Sequence, residues 1–230
     1  MSYSQFIDQI PSSWKLILPD LMKSEYMNNI YSKIIQEYKT KQILPKPQLI
    51  FEAFRHFEPF DTKVVIIWQD PYHTPWLANG LAFSTSLWKL PQSLINIYKE
   101  ICDEYDVKFD DIKNNLTWDL TKRADQWVLL LNNCLTVEAH KPMSHKDIWR
   151  NDFTNAIISN LNSKSDNIVF LLRGAFAQTK QILIDENKHL VLKCAHPSPL
   201  SVNKWFFGCL HFKKTNEYLE DNNKSQIKRL

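Results

Sequence analysis

The sequence predicts an α/β fold, a three-layer α/β/α sandwich around a central four-stranded parallel sheet. Three observations carry this reading. Four short apolar runs, Val64-Val65-Ile66-Ile67-Trp68, Trp127-Val128-Leu129-Leu130-Leu131, Ile168-Val169-Phe170-Leu171-Leu172 and Leu190-Val191-Leu192-Lys193-Cys194, are spaced along the chain. Between them lie segments whose apolar residues recur at helical spacing. Each run stops at polar or turn-forming residues, and strands that apolar are buried on both faces, as parallel strands are between helix layers.

Residues 1–60 read as helical packing layers. Met27, Ile30, Ile34, Ile35 and Tyr38 form one apolar stripe, Pro45 and Pro47 punctuate the chain, and Ile50, Phe51, Phe54 and Phe57 start another stripe. The first strand then leads from Val64 to Asp70, where Pro71 removes a backbone donor and holds the preceding residue extended. After Gly80-Leu81-Ala82-Phe83, the turn Leu90-Pro91-Gln92-Ser93 opens a helix carrying Leu94, Tyr98, Ile101 and Tyr105. The acidic stretch from Asp103 to Asn115 reads as a solvated connection. Trp149, Phe153, Ile157 and Leu161 mark the helix after strand two, and a further helix runs from about Ala177 to Ile184. No repeat, low-complexity tract or linker divides the chain, so residues 1–230 are expected to form a single domain.

Composition narrows the function classes. With 44% hydrophobic and 23% charged residues the chain is ordinary for a globular protein, and its net charge of +3 suits a local basic face without requiring one. No apolar stretch approaches the roughly 18 residues of a membrane span, and the opening MSYSQFIDQI does not resemble a signal peptide, so the expected location is intracellular. Cys102, Cys134, Cys194 and Cys209 are far apart in sequence and read as buried, reduced thiols, with no metal-ligand spacing. Three glycines, Gly80, Gly174 and Gly208, exclude a glycine-rich nucleotide loop.

Right-handed crossovers place the four strand ends on one side of the sheet. Asp70 and His73 follow the first strand, Asn132 and Asn133 the second, Gly174 the third, and His196 with its serines the fourth. An acid, amides, imidazoles and hydroxyls lining one cleft look like a site for acid–base or electrostatic chemistry, with Asp70 and His196 the leading candidates. Acyl transfer fits poorly, because no serine sits in a G-x-S-x-G elbow.

These residues also carry a resemblance. Gln69-Asp70-Pro71-Tyr72-His73, Gly80-Leu81-Ala82-Phe83-Ser84, Leu129-Leu130-Leu131-Asn132 and His196-Pro197-Ser198-Pro199-Leu200-Ser201, followed by Phe206-Phe207-Gly208-Cys209 and His211-Phe212, occur in the order of the motifs of family 1 uracil-DNA glycosylases. The resemblance spans essentially the whole chain. It implies a monofunctional enzyme, needing no cofactor or metal, that excises flipped-out uracil from single- or double-stranded DNA. Asp70 would stabilise the sugar cation and orient water, and His196 would donate to uracil O2. Gln69 lies in the water-activating motif and is counted with the uracil-binding residues. Phe83 would stack on the base, Asn132 would read it, and Tyr72 would stand where a thymine methyl would go. Ser93, Ser198 and Ser201 would grip phosphates, and Leu200 would wedge into the vacated stack. A proteinaceous DNA-mimic inhibitor is a candidate partner, and the expected state is a monomer. Location would be the cytoplasm in a bacterium, or host nucleus or cytoplasm for a virus.

Departures from the family pattern set the rival reading, a DNA- or partner-binding protein on the same fold with weakened catalysis. Trp68 stands where the family has glycine, Thr74-Pro75-Trp76-Leu77 replaces a glycine-bearing segment, Gly174-Ala175 replaces Gly-Ser, and Arg173 stands where tryptophan is common. At Trp68 the expectation is an extended backbone, an indole packed beside the active loop, and retained activity.

Overall fold

The computed structural model describes residues 1–86 and 91–228; Leu90 of the expected Leu90–Ser93 turn lies outside them. Its core is a parallel sheet of β1 (Val64–Trp68), β2 (Val128–Asn132), β3 (Val169–Arg173) and β4 (Leu190–Cys194), in the order β2-β1-β3-β4. The register pairs Val64 with Val128 and Val169, and Trp68 with Asn132. Because side chains alternate, residues paired in register share a face. Val64, Ile66, Leu130 and Leu171 therefore point to one layer, and Val65, Ile67, Leu129, Leu131, Phe170 and Leu172 to the other, all of them buried.

The first layer is made by α2 (Gln92–Glu104) and α4 (His211–Asp221). Leu94, Ile97, Tyr98 and Ile101 of α2 meet Val64, Ile66 and Leu130 around a cavity of about 100 Å³. On the other side stand α1 (Glu25–Thr40), α3 (Asp152–Lys164) and an aromatic cluster. In that cluster Phe51 packs against Phe6, Phe54, Trp149 and Phe153 at centroid separations of 5.1 to 6.4 Å, the usual range for edge-to-face rings. No described helix is long and apolar enough to cross a membrane.

Several expected boundaries move for local reasons. Strand two begins at Val128, because Trp127 is held at φ 68° and a left-handed residue cannot enter the ladder. The helix expected through Trp149 breaks at Arg150 and Asn151, both left-handed, into Lys146–Trp149 and α3. Ile50 to Phe57 forms turns around one short 3₁₀ helix, Glu52–Phe54, and the segment after β3 is one helical turn, Ala175–Gln178, followed by the 3₁₀ stretch Thr179–Leu183. The expected solvated connection also contains a short helix, Phe109–Ile112, and Glu104 at its start is buried. All four thiols are free and buried, as expected.

Gly80 is the tightest point in the link from the Asp70 loop to Phe83. It sits at φ 91°, and a Cβ there would lie 2.2 Å from the Leu49 carbonyl oxygen and 2.6 Å from Glu52 Cβ. Gly80→Ala should therefore lower stability by about 2–4 kcal/mol in urea unfolding, since it adds left-handed strain to a clash with backbone. A change within about 0.5 kcal/mol would show that this close approach is not needed.

Candidate active site

The ends of β1, β2 and β4 bring Asp70, Asn132 and His196 to one edge of the sheet. The Asp70 loop is fastened on both sides. Asn133 N–H donates to Trp68 O at 2.8 Å, Cys134 N–H to Gln69 O at 2.9 Å, and His140 N–H to His73 O at 2.7 Å. Asp70 is 7% exposed. Its Oδ2 accepts from Met143 N–H at 2.7 Å, while Oδ1 is buried without a partner. Burial raises the Asp70 pKa above the ordinary carboxylate value, against the opposing pull of Met143 N–H, the Cys134 thiol and nearby His73. One oxygen is thus anchored and the other is enclosed without a hydrogen-bond donor.

His196 is positioned by its own loop. Ser198 N–H donates to His196 Nδ1 at 3.0 Å. A backbone N–H can only donate, so Nδ1 is the acceptor and the ring proton of the neutral imidazole is on Nε2. Burial, with the Arg173 guanidinium adding to it, lowers the His196 pKa to about 4. The imidazole is neutral near pH 7, and its Nε2–H is a donor carrying no formal charge. Ser201 Oγ donates to His196 O at 2.9 Å, and the Ser198 and Ser201 hydroxyls are 3.0 Å apart. Asn96 Nδ2 of α2 donates to Pro197 O at 2.8 Å, tying this loop to the helix.

Asn132 is buried, and its Oδ1 has no partner. Tyr72 donates its hydroxyl to Phe83 O at 3.2 Å, and burial pushes that phenol's pKa up. Phe83 is buried at φ 64°, a left-handed strain of order 1–3 kcal/mol held by its surroundings. Gln69 is half-buried beside Asp70, and Ser93 lies in the first turn of α2, also half-buried. Leu200 is 90% exposed and so is not a packing residue.

Trp68 corrects one expectation. Its backbone is extended, and its side chain points away from Ile67 and Gln69 as alternation requires. That face, however, is the one carrying Asn132, and it opens on the site itself. The indole centroid lies 3.8 Å from the Phe83 ring and 3.9 Å from the His196 ring, closer than the roughly 4.5–7 Å usual for ring pairs. It therefore fills the space between Phe83 and His196, rather than standing beside the loop.

Several supporting residues gave little sign in the sequence. Met143 contributes a backbone donor, which any residue type supplies. Arg173 is 2% exposed and lies over Phe212 at 4.6 Å, charging the environment of His196; the sequence marked it only as a departure. Gly174, at φ 89°, leaves room for His196, whose Cβ would be 3.1 Å from an added Cβ. The fold also gathers Cys194 with Cys209 and His211, with ligand-type atoms within 4.8 Å of one another. The Cys209 thiol donates to Cys194, which holds the Cys209 pKa up and the Cys194 pKa down, while His211 Nδ1 is buried without a partner. Glu100 and Glu104, near Cys209, accept from the backbone N–H groups of Gly208, Leu210, Phe212 and Lys213, and so hold the start of α4.

Comparison with known proteins agrees with this geometry. A model of the Uracil DNA glycosylase superfamily matches residues 54–220. A uracil-DNA glycosylase of Borrelia duttonii is 47% identical over 222 residues, covering 95% of this chain and 97% of the relative. One from Clostridioides difficile is 43% identical, covering 94% and 95%. Among solved structures, mimivirus uracil-DNA glycosylase superposes with a TM-score of 0.87 at 26% identity, covering 96% of this chain and 88% of the other. A mimivirus UNG variant in complex with UGI gives 0.86 at 27%, covering 96% and 89%. The chain belongs to the Uracil DNA glycosylase superfamily.

Proposed function

We propose that the protein is a monofunctional, family 1 uracil-DNA glycosylase, acting as a monomer without a cofactor on uracil in single- or double-stranded DNA. One observation carries the reading. At the ends of β1, β2 and β4 stand a buried carboxylate and a buried amide, each with an unpartnered oxygen, and a neutral imidazole with its proton on Nε2. That set matches what hydrolysis of a deoxyuridine N-glycosidic bond demands.

A uracil within a duplex is out of reach, and extruding it costs a few kcal/mol of lost stacking and pairing. Leu200, fully presented to solvent, fills the gap in the stack. Ser93, Ser198 and Ser201 hold phosphates, contacts that position the strand without reading sequence. In the pocket Asn132 Oδ1 accepts from uracil N3–H and its NH₂ donates to O4; cytosine reverses both groups and is refused. Tyr72, fixed by its bond to Phe83 O, excludes a 5-methyl group by clash.

As the C1′–N1 bond breaks, positive charge builds on the sugar and negative charge on uracil O2. The Asp70 carboxylate faces the first, His196 Nε2–H the second, and Asp70 with Gln69 aligns the water that bonds to C1′. Both charges exist only near the transition state, so these contacts lower the barrier rather than merely tighten binding. A neutral donor suits this role because it keeps its proton while the uracil anion departs. The similarity to a mimivirus enzyme that binds UGI also supports a DNA-mimicking protein inhibitor as a partner of the same face. A pure DNA-binding protein would have no use for Asp70 and His196 held in this way, and that argues against the rival reading.

In a Trp68→Gly background, which clears the space against Phe83, Asp70→Asn and His196→Ala should each slow single-turnover excision at least about a hundredfold while uracil-DNA binding survives. Rates within a factor of a few of the parent would remove both assignments. Because Asp70 must be ionised and burial raises its pKa, excision should fall on acidification at a higher pH than an ordinary carboxylate would give. In the same background Leu200→Ala should impair duplex substrates several-fold more than single strands, since only a duplex has a stack to refill. Equal losses on both would contradict the wedge.

A further inference from the structure

Three tryptophans sit where the backbone favours glycine. Trp76, Trp127 and Trp205 have φ of 71°, 68° and 87°. The glycines of the chain occupy the same region, at 91°, 89° and 78°. For a bulky side chain a positive φ is an outlier, whereas glycine adopts it without steric cost. Twelve non-glycine residues among those described have positive φ, and five of them are the Asn, Asp and His residues that tolerate it best. Tryptophan supplies three of the other seven, although the sequence contains only eight tryptophans in all.

Packing does not account for these side chains either. Trp76 is 65% and Trp205 67% exposed. Trp127 is 36% exposed, and its ring contact is with Lys63 Nζ, 3.9 Å from the centroid. Trp68 has an ordinary backbone but no room, with ring centroids 3.8 and 3.9 Å away on two sides. Three glycines in 230 residues is also low, where about 16 would be usual at this length. Backbone, packing and composition thus point the same way, to positions that want glycine and carry the largest side chain.

We propose that positions 68, 76, 127 and 205 are glycine in the protein as its own cell makes it, through a codon decoded there as glycine rather than tryptophan. UGA is the codon read as tryptophan under some genetic codes and as glycine under others, so one reassignment accounts for all four positions at once. Glycine at 76, 127 and 205 relieves the left-handed strain in the loop after Asp70, at the start of β2 and in the loop after Leu200. Glycine at 68 leaves the face of Phe83 open to a base and frees the space beside His196. Only this last consequence rests on the glycosylase reading.

The direct test is peptide mass spectrometry of the protein isolated from the organism whose gene encodes it, over the peptides spanning the four positions. Glycine at all four is expected; tryptophan at any of them overturns the proposal. In parallel, two recombinant chains with unambiguous codons, one with tryptophan at all four positions and one with glycine, are compared on a uracil-containing oligonucleotide. The glycine chain should excise at least about tenfold faster, the size of one base–aromatic stack. Trp68→Gly alone should recover most of that gain. If the native peptides carry glycine yet the folded glycine chain leaves uracil in place, the glycosylase reading falls and the decoding stands. If the native peptides carry tryptophan and Trp76→Gly with Trp205→Gly weakens binding to single-stranded DNA, the tryptophans are stacking platforms and the decoding is wrong.

Discussion

The hydrogen bond from Ser198 N–H to His196 Nδ1 decides what the site can do, because it sets which nitrogen of the ring carries the proton. Much of the neighbouring structure serves that bond. Ser201 Oγ holds the His196 carbonyl, Asn96 holds the next carbonyl from α2, and Gly174 supplies the gap into which the ring fits. The loop can be placed against Asp70 only because β1 and β4 flank β3 in one parallel sheet, so that their ends open on the same side. A distortion at any of these points would leave an imidazole in the cleft with its proton or its angle wrong.

The electrostatics of Asp70 and His196 are opposed. Burial makes both reluctant to carry charge, yet only Asp70 is given donors, from Met143 N–H and the Cys134 thiol, to sustain an ionised form. His196 receives the reverse treatment, since the nearby Arg173 guanidinium adds repulsion against an imidazolium to the cost of burial. The site thus supports a charge on Asp70 with hydrogen-bond donors and opposes one on His196. Arg173 itself rests on Phe212 and Phe206, so its charge is held by aromatic faces, and among the described residues no carboxylate forms an ion pair with it.

The sheet was legible because β-branched and leucine runs such as Val64–Trp68 announce buried strands, and the polar residues after them fall at the strand ends that chemistry needs. Asp70, Asn132 and His196 were found on that ground and by motif. What stayed hidden has physical causes. α4 buries His211, Thr215, Asn216 and Leu219, a face too polar to read as an amphipathic stripe. Met143 acts through its backbone, and Cys194 meets Cys209 and His211 only after folding. At Trp68 alternation gave the correct face, but the occupant of that face depends on the distance to Phe83 and His196, which no sequence period encodes.

Nitrogen-15 NMR of the histidine side chains as a function of pH, with His196 assigned by its loss in His196→Gln, reads directly which ring nitrogen of His196 carries the proton. Nδ1 is expected to resonate as a pyridine-type acceptor and Nε2 as a protonated nitrogen from about pH 5 upward, with protonation of the ring setting in only towards pH 4. A His196 that carries its neutral proton on Nδ1, or that titrates near the ordinary value of about 6.5, would contradict it.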